Sequence, residues 1–308
     1  MMQATYEVIA RTMLIGGDKE ISETILKEDS DYRAGFIWAV VYGLFRAPGW
    51  IPRPGRTAMR RRDKALRSIV GRMIDNGQDA NPSTNDLLAR LRDARHPETG
   101  QRMSREQLID NVLTFLLAGH HTTAMALTWT LYLIACAPEW EARMLEEIER
   151  IVPEGPIRAE QVSELVVVQQ VLKESMRLFP PVPSLSRVTT QDTHLGGHKI
   201  ARGTAVNIPV YAVHRHRSVW QNPDLFDPTR FAKANESHFV SCQFLPFGAG
   251  PRTCSGMAFA MIEATIFLAT LVRAARFELV AEDFLPIPIS RVVLAPRDGM
   301  PLKVTLRG

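Results

Sequence analysis

Cysteine is scarce in this sequence, because only Cys136, Cys242 and Cys254 occur among 308 residues. Three is an odd number and the spacings are unrelated, so the composition argues against a disulfide framework and favours a reducing compartment. Long apolar runs are also lacking near the N-terminus: the segment 34–45 is shorter than the ~20 residues of a membrane span and has no signal-peptide layout. We therefore expect a cytoplasmic protein without a membrane partner.

Charge of one sign is lacking as well, since 37 Lys and Arg against 33 Asp and Glu give a net charge of +4. The exception is the stretch 46–72, where nine basic residues accompany a single acid, Asp63. Such a stretch could bind nucleic acid or anionic lipid, but a solvated helix face is the interpretation we prefer. No motif that reads nucleic acid supports the other interpretation, so we expect no nucleic-acid partner.

The N-terminal third of the chain has helical periodicity, with apolar residues three and four apart. The pattern predicts helices over residues 1–14, 20–45, 57–74 and 86–96. A longer helix is predicted from the N-cap Ser104, with Gln107 as its capping-box partner, to the residue before Pro138.

The middle of this long helix is apolar on all sides, yet it contains the polar stretch 119–123, GHHTT. Burial of such residues is costly unless they are hydrogen-bonded, and a threonine hydroxyl can bond back to the carbonyl four residues earlier, here Ala118. One interpretation is a packing kink with satisfied core histidines. The other is a local groove that holds a small ligand and a proton relay.

A buried helix is predicted over residues 168–178, where Glu174 and Arg177 share one face. Buried among apolar neighbours, these two charges must be paired. Arg230, in the proline-rich loop 220–231, could supply a second cation. Beyond this helix the pattern predicts a strand and a turn around Gly196 and Gly197, then an apolar helix over 256–277, and a β-hairpin within 290–307.

Cys254 precedes the apolar helix, in the stretch FGAGPRTCSG, where helix N–H groups and the helix dipole stabilise an anion. A nucleophilic cysteine would need a histidine base, which the sequence cannot place. A phosphate loop would end in G-K-[ST], and a zinc site would need further ligands nearby; neither is present. The remaining use is a single axial thiolate to haem iron, with Arg252 near a propionate.

This stretch resembles the F-x-x-G-x-[RH]-x-C-x-G loop of the cytochrome P-450 family. AGHHTT, residues 118–123, is similar to the family's oxygen-binding groove [AG]-G-x-[DE]-T-[TS], and ESMR, residues 174–177, to its E-x-x-R. FDPTRF, residues 226–231, supplies the partner Arg230. The order and rough spacing of these segments agree with the family over essentially the whole chain.

The resemblance implies a mainly α protein with small β-sheets: a cytochrome P-450 fold that lacks its N-terminal helices and outer strands and is similar to soluble bacterial members. We expect one domain, 1–308, comprising a helical region 1–187, a strand and loop region 188–242, a haem loop and helix 243–279, and a C-terminal hairpin 280–308. Family members are already well into the fold where this chain begins.

The resemblance also implies a cofactor, haem b, with Cys254 as the axial ligand of the iron. The other cofactor-binding residues would be Arg252, Arg187, Phe247, Gly248, Gly256 and Ala118. Glu174, Arg177 and Arg230 would form a structural triad, and the substrate pocket would be lined by Leu116, Leu117, Val182 and Leu185. Thr122 and His121 would be catalytic, as suppliers of protons.

The implied activity is that of a monooxygenase, which inserts one atom of dioxygen into an apolar small molecule. The electrons would come from a separate donor protein, a ferredoxin or a flavin reductase, because the chain has no flavin or iron–sulfur motif. His121 stands where the family pattern has Asp or Glu; this resembles the sterol 14-demethylase branch but does not imply a sterol substrate. Since the ordinary pKa of histidine is near neutrality, His121 could itself relay protons. The alternative is a truncated or degenerate haem-binding remnant without turnover.

Overall fold

The computed structural model describes residues 1–13, 56–76, 87–236, 239, 242–290 and 293–308. Within these residues the helices are α1 (Met2–Met13), α2 (Arg56–Asn76), α3 (Leu87–Asp93), α4 (Arg105–Cys136), α5 (Pro138–Ile151), α6 (Val166–Leu178), α7 (Val210–Val213), α8 (Lys233–Glu236) and α9 (Met257–Ala274). The helix predicted over residues 20–45 lies outside the described residues. The chain divides into two compact units, Met1–His121 and Thr122–Gly308. The single domain expected over 1–308 stays a prediction.

The core of the first unit forms where α1, α2, α3 and the first half of α4 bury their apolar faces. Tyr6, Ile9, Leu66, Val70 and Leu116 lie in this core, as the helical spacing of apolar residues predicts. α1 and α2 confirm the predicted helices 1–14 and 57–74 to within two residues at each end. α3 is shorter than the predicted helix 86–96, because Arg95 forms an isolated antiparallel bridge with Arg102 instead of continuing the helix.

The start of α4 is fixed by the predicted capping box. The Gln107 backbone N–H donates to Ser104 Oγ at 3.2 Å, and the Ser104 backbone N–H donates to Gln107 Oε1 at 2.8 Å. These two bonds satisfy backbone donors that a helix start otherwise leaves unpaired. α4 then continues through the apolar stretch for 32 residues and ends at Cys136, as predicted from Pro138.

The core of the second unit is made by the end of α4 together with α5, α6 and α9. Leu127, Ile134, Met144, Leu172 and Leu268 are fully buried in it. Among the described helices, α9 is the one with the length and apolar composition of a membrane span. Leu268, Ala269 and Val272 of α9 are buried in this core, so one face of α9 packs against it.

The strands form four two-stranded antiparallel sheets within the described residues. They pair β1 (Leu185–Val188) with β4 (Ala205–Ile208), β2 (Thr193–Leu195) with β3 (His198–Ile200), β5 (Ala275–Leu279) with β8 (Leu302–Leu306), and β6 (Pro288–Ser290) with β7 (Leu294–Pro296). The turn between β2 and β3 is made by Gly196 and Gly197, with φ of +57° and +82°, which confirms the predicted turn. The mainly α class with small sheets is confirmed.

Two boundaries and one strand pairing in the structure differ from those predicted from the sequence. β1 begins at Leu185, inside the region predicted as helical to residue 187. α9 ends at Ala274 instead of residue 277, because the residues that follow pair with β8. The region 280–308 contains a hairpin of β6 and β7, but the last strand does not join it as predicted over 290–307. Instead β8 pairs with β5, and Arg307 holds it there by donating to Glu141 Oε1 at 2.8 Å and to the Val272 carbonyl at 3.0 Å.

Candidate active site

The Cys254 loop, residues 244–256, is shaped by glycine and by backbone hydrogen bonds. Gly248 and Gly250 both have φ of +73°, in the left-handed region that residues with a Cβ adopt at a cost. The Cys254 N–H donates to the Phe247 carbonyl at 2.9 Å, which closes the loop. Cys254 is exposed and lies three residues before α9, whose first N–H groups favour an anion.

The Cys254 thiol is exposed, and exposed apolar side chains follow it in the chain. A Cβ on Gly256 would lie 3.8 Å from the Cys254 Sγ, in van der Waals contact with the sulfur. Met257 and Phe259 keep 43% and 38% of their surface exposed in the first turn of α9. In the described residues no group of three or more His, Cys, Asp and Glu could hold a metal ion. A single exposed thiol directly before an apolar helix is compatible with a thiolate-ligated haem.

Two arginines predicted to bind propionates lie on exposed segments of the second unit. Arg252 is in a 3₁₀ turn, Gly250–Arg252, and Arg187 is on β1, where it donates to the Ser186 carbonyl at 2.9 Å. Neither arginine has a carboxylate within ion-pair distance among the described residues, so both can meet an external anion. Leu185 on β1 lies beside the loop, with its Cδ1 3.7 Å from the position of a Cβ on Gly248. Val182 is half-buried.

Glu174 and Arg177 form a fully buried ion pair on α6. Arg177 Nε and Nη2 donate to the two Glu174 carboxylate oxygens at 2.7 and 2.8 Å. The remaining N–H groups of Arg177 donate to the carbonyls of His214, Pro223 and Leu225 at 2.9, 2.6 and 3.0 Å. All five guanidinium donors are therefore used, and the predicted pairing of the two charges is confirmed.

The Glu174 carboxylate also receives the loop that carries Arg230. Glu174 Oε1 accepts the Asp227 N–H at 2.9 Å and lies 3.5 Å from Arg230 Nε. Burial raises the pKa of Glu174 above its ordinary value, and the hydrogen bonds from Arg177 offset only part of this rise. The structure thus brings together the three residues predicted as a triad.

The polar stretch of α4 divides into segments with different surroundings. His120 is fully buried in the first unit, where its Nδ1 donates to the Leu116 carbonyl at 2.6 Å and its ring lies edge-on to Tyr6. The His120 carbonyl accepts from Thr5 Oγ1 at 3.0 Å. A Cβ on Gly119 would lie 2.6 Å from Ile9 Cδ1, so the glycine permits the close approach of α1. His120 is therefore a core histidine whose Nδ1 is hydrogen-bonded within its own helix.

The residues predicted to act in catalysis lie next along α4. His121 is buried and Thr122 is half-buried. Of the predicted pocket residues on this helix, Leu116 is fully buried in the first core, whereas Leu117 is half-buried; Ala118, predicted to contact the cofactor, is exposed. The catalytic and pocket-lining roles of these residues stay predictions.

Glu263 is a polar residue of this region that the sequence reasoning missed. It lies on α9 and is 5% exposed. Burial raises the pKa of Glu263 to about 7, against a smaller lowering from the nearby hydroxyl of Thr123. Neither carboxyl oxygen makes a hydrogen bond of ordinary geometry within the described residues, so burial is the larger influence. The signal was present, since Glu263 is a lone acid in the apolar run 257–272.

Comparison with known proteins agrees with these features. The sequence profile of the family Cytochrome P450 matches residues 3–304. Cyclooctatin synthase of Streptomyces melanosporofaciens is 35% identical over 271 residues, 85% of this chain and 57% of that protein. Cytochrome P450 4A11 of Homo sapiens is 32% identical over 278 residues, 86% of this chain and 51% of that protein. The chain thus spans about half the length of these curated relatives.

Solved structures show the same relationship. The cytochrome P450DA heme domain superposes with a TM-score of 0.86 at 27% identity, over 100% of this chain and 67% of that one. The profile match and the identity to curated relatives cover far more than the cysteine loop. The chain therefore belongs to the cytochrome P450 family.

Proposed function

We propose that this chain is a haem-thiolate monooxygenase that inserts one atom of dioxygen into an apolar organic substrate. The observation that carries the proposal is the exposed Cys254 thiol, held on a glycine-shaped loop directly before α9. Members of the family are oxidoreductases that bind haem b. When bound, the haem iron supplies the activation of dioxygen.

The residues proposed to hold the cofactor are those of the Cys254 loop, Arg252 among them, together with Arg187 and Ala118. Cys254 would be the thiolate ligand, and Arg252 and Arg187 would meet the propionates. Phe247, Gly248, Gly256 and Ala118 would contact the macrocycle. Glu174, Arg177 and Arg230 would act as structural residues, because their hydrogen bonds connect α6 to the loops after it.

The proposed proton supply uses residues of α4 and α9. Thr122 and His121 keep the role implied by the family resemblance. Glu263 adds a buried carboxyl with a pKa of about 7, which can hold and release a proton near neutral pH. The Thr123 hydroxyl is the polar group beside it that could pass this proton on.

The proposed partner is a separate electron-donor protein, either a ferredoxin or a flavin reductase, and the proposed location is the cytoplasm. Family members generally use redox partners and hydrophobic substrates. Leu185, beside the loop, and Val182 are half-buried and apolar, in keeping with such a substrate.

The test is the carbon monoxide difference spectrum of the reduced, haem-reconstituted chain. A Soret band shifted far to the red is expected, and Cys254→Ser should abolish it, whereas the control Cys136→Ser, at another exposed cysteine, should retain it. A Cys254→Ser chain with an unchanged spectrum and turnover would refute the proposal. A neutral-ligand band, or no haem in the unaltered chain, would favour the haem-binding remnant.

A further inference from the structure

His214 connects two regions of the second unit through its imidazole ring. The residue is fully buried and directly follows α7. Its Nδ1 lies 3.2 Å from the Arg177 carbonyl, and its Nε2 accepts the Leu245 N–H at 2.7 Å. The ring is also stacked on Phe244 with centroids 5.3 Å apart. One ring therefore contacts both the helix of the buried ion pair and the start of the Cys254 loop.

These two contacts specify the tautomer of the ring. A carbonyl can only accept and a backbone N–H can only donate, so Nδ1 must carry the hydrogen and Nε2 must present its lone pair. A protonated ring would set an N–H of His214 against the N–H of Leu245. Burial lowers the pKa of His214 to about 4, and the charged groups that bear on it, Arg177 of α6 and the adjacent Arg215, are both cations. The neutral form is thus favoured by its surroundings.

The hydrogen bonds continue from His214 to the thiol-bearing residue. The Leu245 carbonyl accepts the Gly248 N–H at 3.1 Å, and the Phe247 carbonyl accepts the Cys254 N–H at 2.9 Å. At the other end, Arg177 Nη1 donates to the His214 carbonyl at 2.9 Å. Arg177 and His214 are therefore joined by two hydrogen bonds, and the His214 ring in turn fixes Leu245 at the start of the loop.

We propose that His214 is a positioning residue that anchors the Cys254 loop to the buried Glu174–Arg177 pair through its Nδ1–H tautomer. The proposal deepens the proposed function, because the loop it fixes is the one assigned to the haem. The hydrogen bond from the Leu245 N–H to His214 Nε2 does not depend on haem binding, so this part of the proposal can be tested without haem.

The first test uses the unaltered chain and the ¹⁵N shifts of its histidine side chains. We expect His214 to be neutral and protonated on Nδ1 from pH 8 down to pH 6. His216, exposed and two residues further on, serves as the reference in the same spectrum. An Nε2–H tautomer, or a doubly protonated His214 ring at pH 6, would overturn the proposal.

The second test measures hydrogen exchange at the Leu245 amide, with and without haem. His214→Phe should keep the stacking and speed this exchange about tenfold, because the amide loses its acceptor. His214→Gln, which offers one donor and one acceptor, should restore protection, and His216→Phe should leave it unchanged. Unaltered exchange at Leu245 in a folded His214→Phe chain would refute the proposal; if that variant unfolds, the tautomer measurement decides.

With haem bound, His214→Phe should also lower the ratio of thiolate-type to neutral-ligand carbon monoxide bands, and His214→Gln should recover it. An unchanged ratio would refute the link between His214 and Cys254. If the unaltered chain binds no haem, the proposed function fails, yet the exchange and tautomer measurements still decide the role of His214.

Discussion

Replacing Glu263 with glutamine should change how the stability of the chain depends on pH. Burial raises the pKa of Glu263 from 4.5 to about 7. One pKa unit corresponds to about 1.36 kcal/mol, so ionising this carboxyl in the folded chain instead of the unfolded chain costs about 3 kcal/mol. Glutamine keeps the size of the side chain and removes the ionisation.

The sign follows from which state binds the proton more tightly. Because the folded-state pKa of Glu263 is raised, its contribution to stability is fully present below pH 4.5 and is lost as pH rises through about 7. His214 acts in the opposite sense, since its pKa falls from 6.5 to about 4 and stability is lost as pH drops through that window. The two slopes offset each other in the unaltered chain, so the difference between variant and parent is the informative quantity.

The assay is urea unfolding followed by circular dichroism at several values between pH 4.5 and pH 8. The free energy of unfolding of Glu263→Gln minus that of the parent should rise by about 3 kcal/mol from pH 4.5 to pH 8. The same difference for the exposed control Glu282→Gln should change little. A difference between parent and Glu263→Gln that stays constant with pH would refute the reasoning. The carbonyl stretch of a protonated carboxyl, present at pH 6 and lost in the variant, would confirm the group responsible.

Two further predictions concern the ion pair and the polar stretch of α4. Glu174→Gln should lower the free energy of unfolding by about 3–5 kcal/mol, because the Arg177 charge stays buried without its partner; exposed Glu160→Gln is the control, and a loss below about 1 kcal/mol would contradict it. Thr122→Ala should leave electron consumption running while oxygenated product falls and peroxide rises; Thr128→Ala on the same helix is the control, and unchanged coupling would remove Thr122 from the mechanism.

The features of this structure that could be predicted depend on residues close together in the sequence. The capping box joins Ser104 to Gln107, and the buried pair joins Glu174 to Arg177 three positions later. The shape of the Cys254 loop depends on glycines a few residues before the thiol. Local spacing determines these features, so the sequence pattern was sufficient for them.

The features that could not be predicted depend on distant partners. Apolar alternation indicates that residues 302–306 form a strand. Its pairing with β5, however, depends on contacts between distant residues, such as that of Arg307 with Glu141. His214 and His216 lie two residues apart, and only tertiary packing makes one buried and the other exposed. Glu263 is different, because a lone acid in an apolar run is a local signal of the same kind as the polar stretch of α4.

The hydrogen bonds of Arg177 have a consequence for the order of folding. Its bonds to Glu174 close within one turn of α6, whereas the carbonyls it binds belong to residues 214, 223 and 225. Closing loops of that length costs conformational entropy before the contacts are gained. The Glu174–Arg177 pair can therefore form early, while α6 is still solvated. It can be buried at low cost only after the segment 214–225 has docked and supplied its carbonyls. Chain collapse that buries α6 before this docking would trap a charged pair with unsatisfied donors, a kinetic intermediate that must reopen.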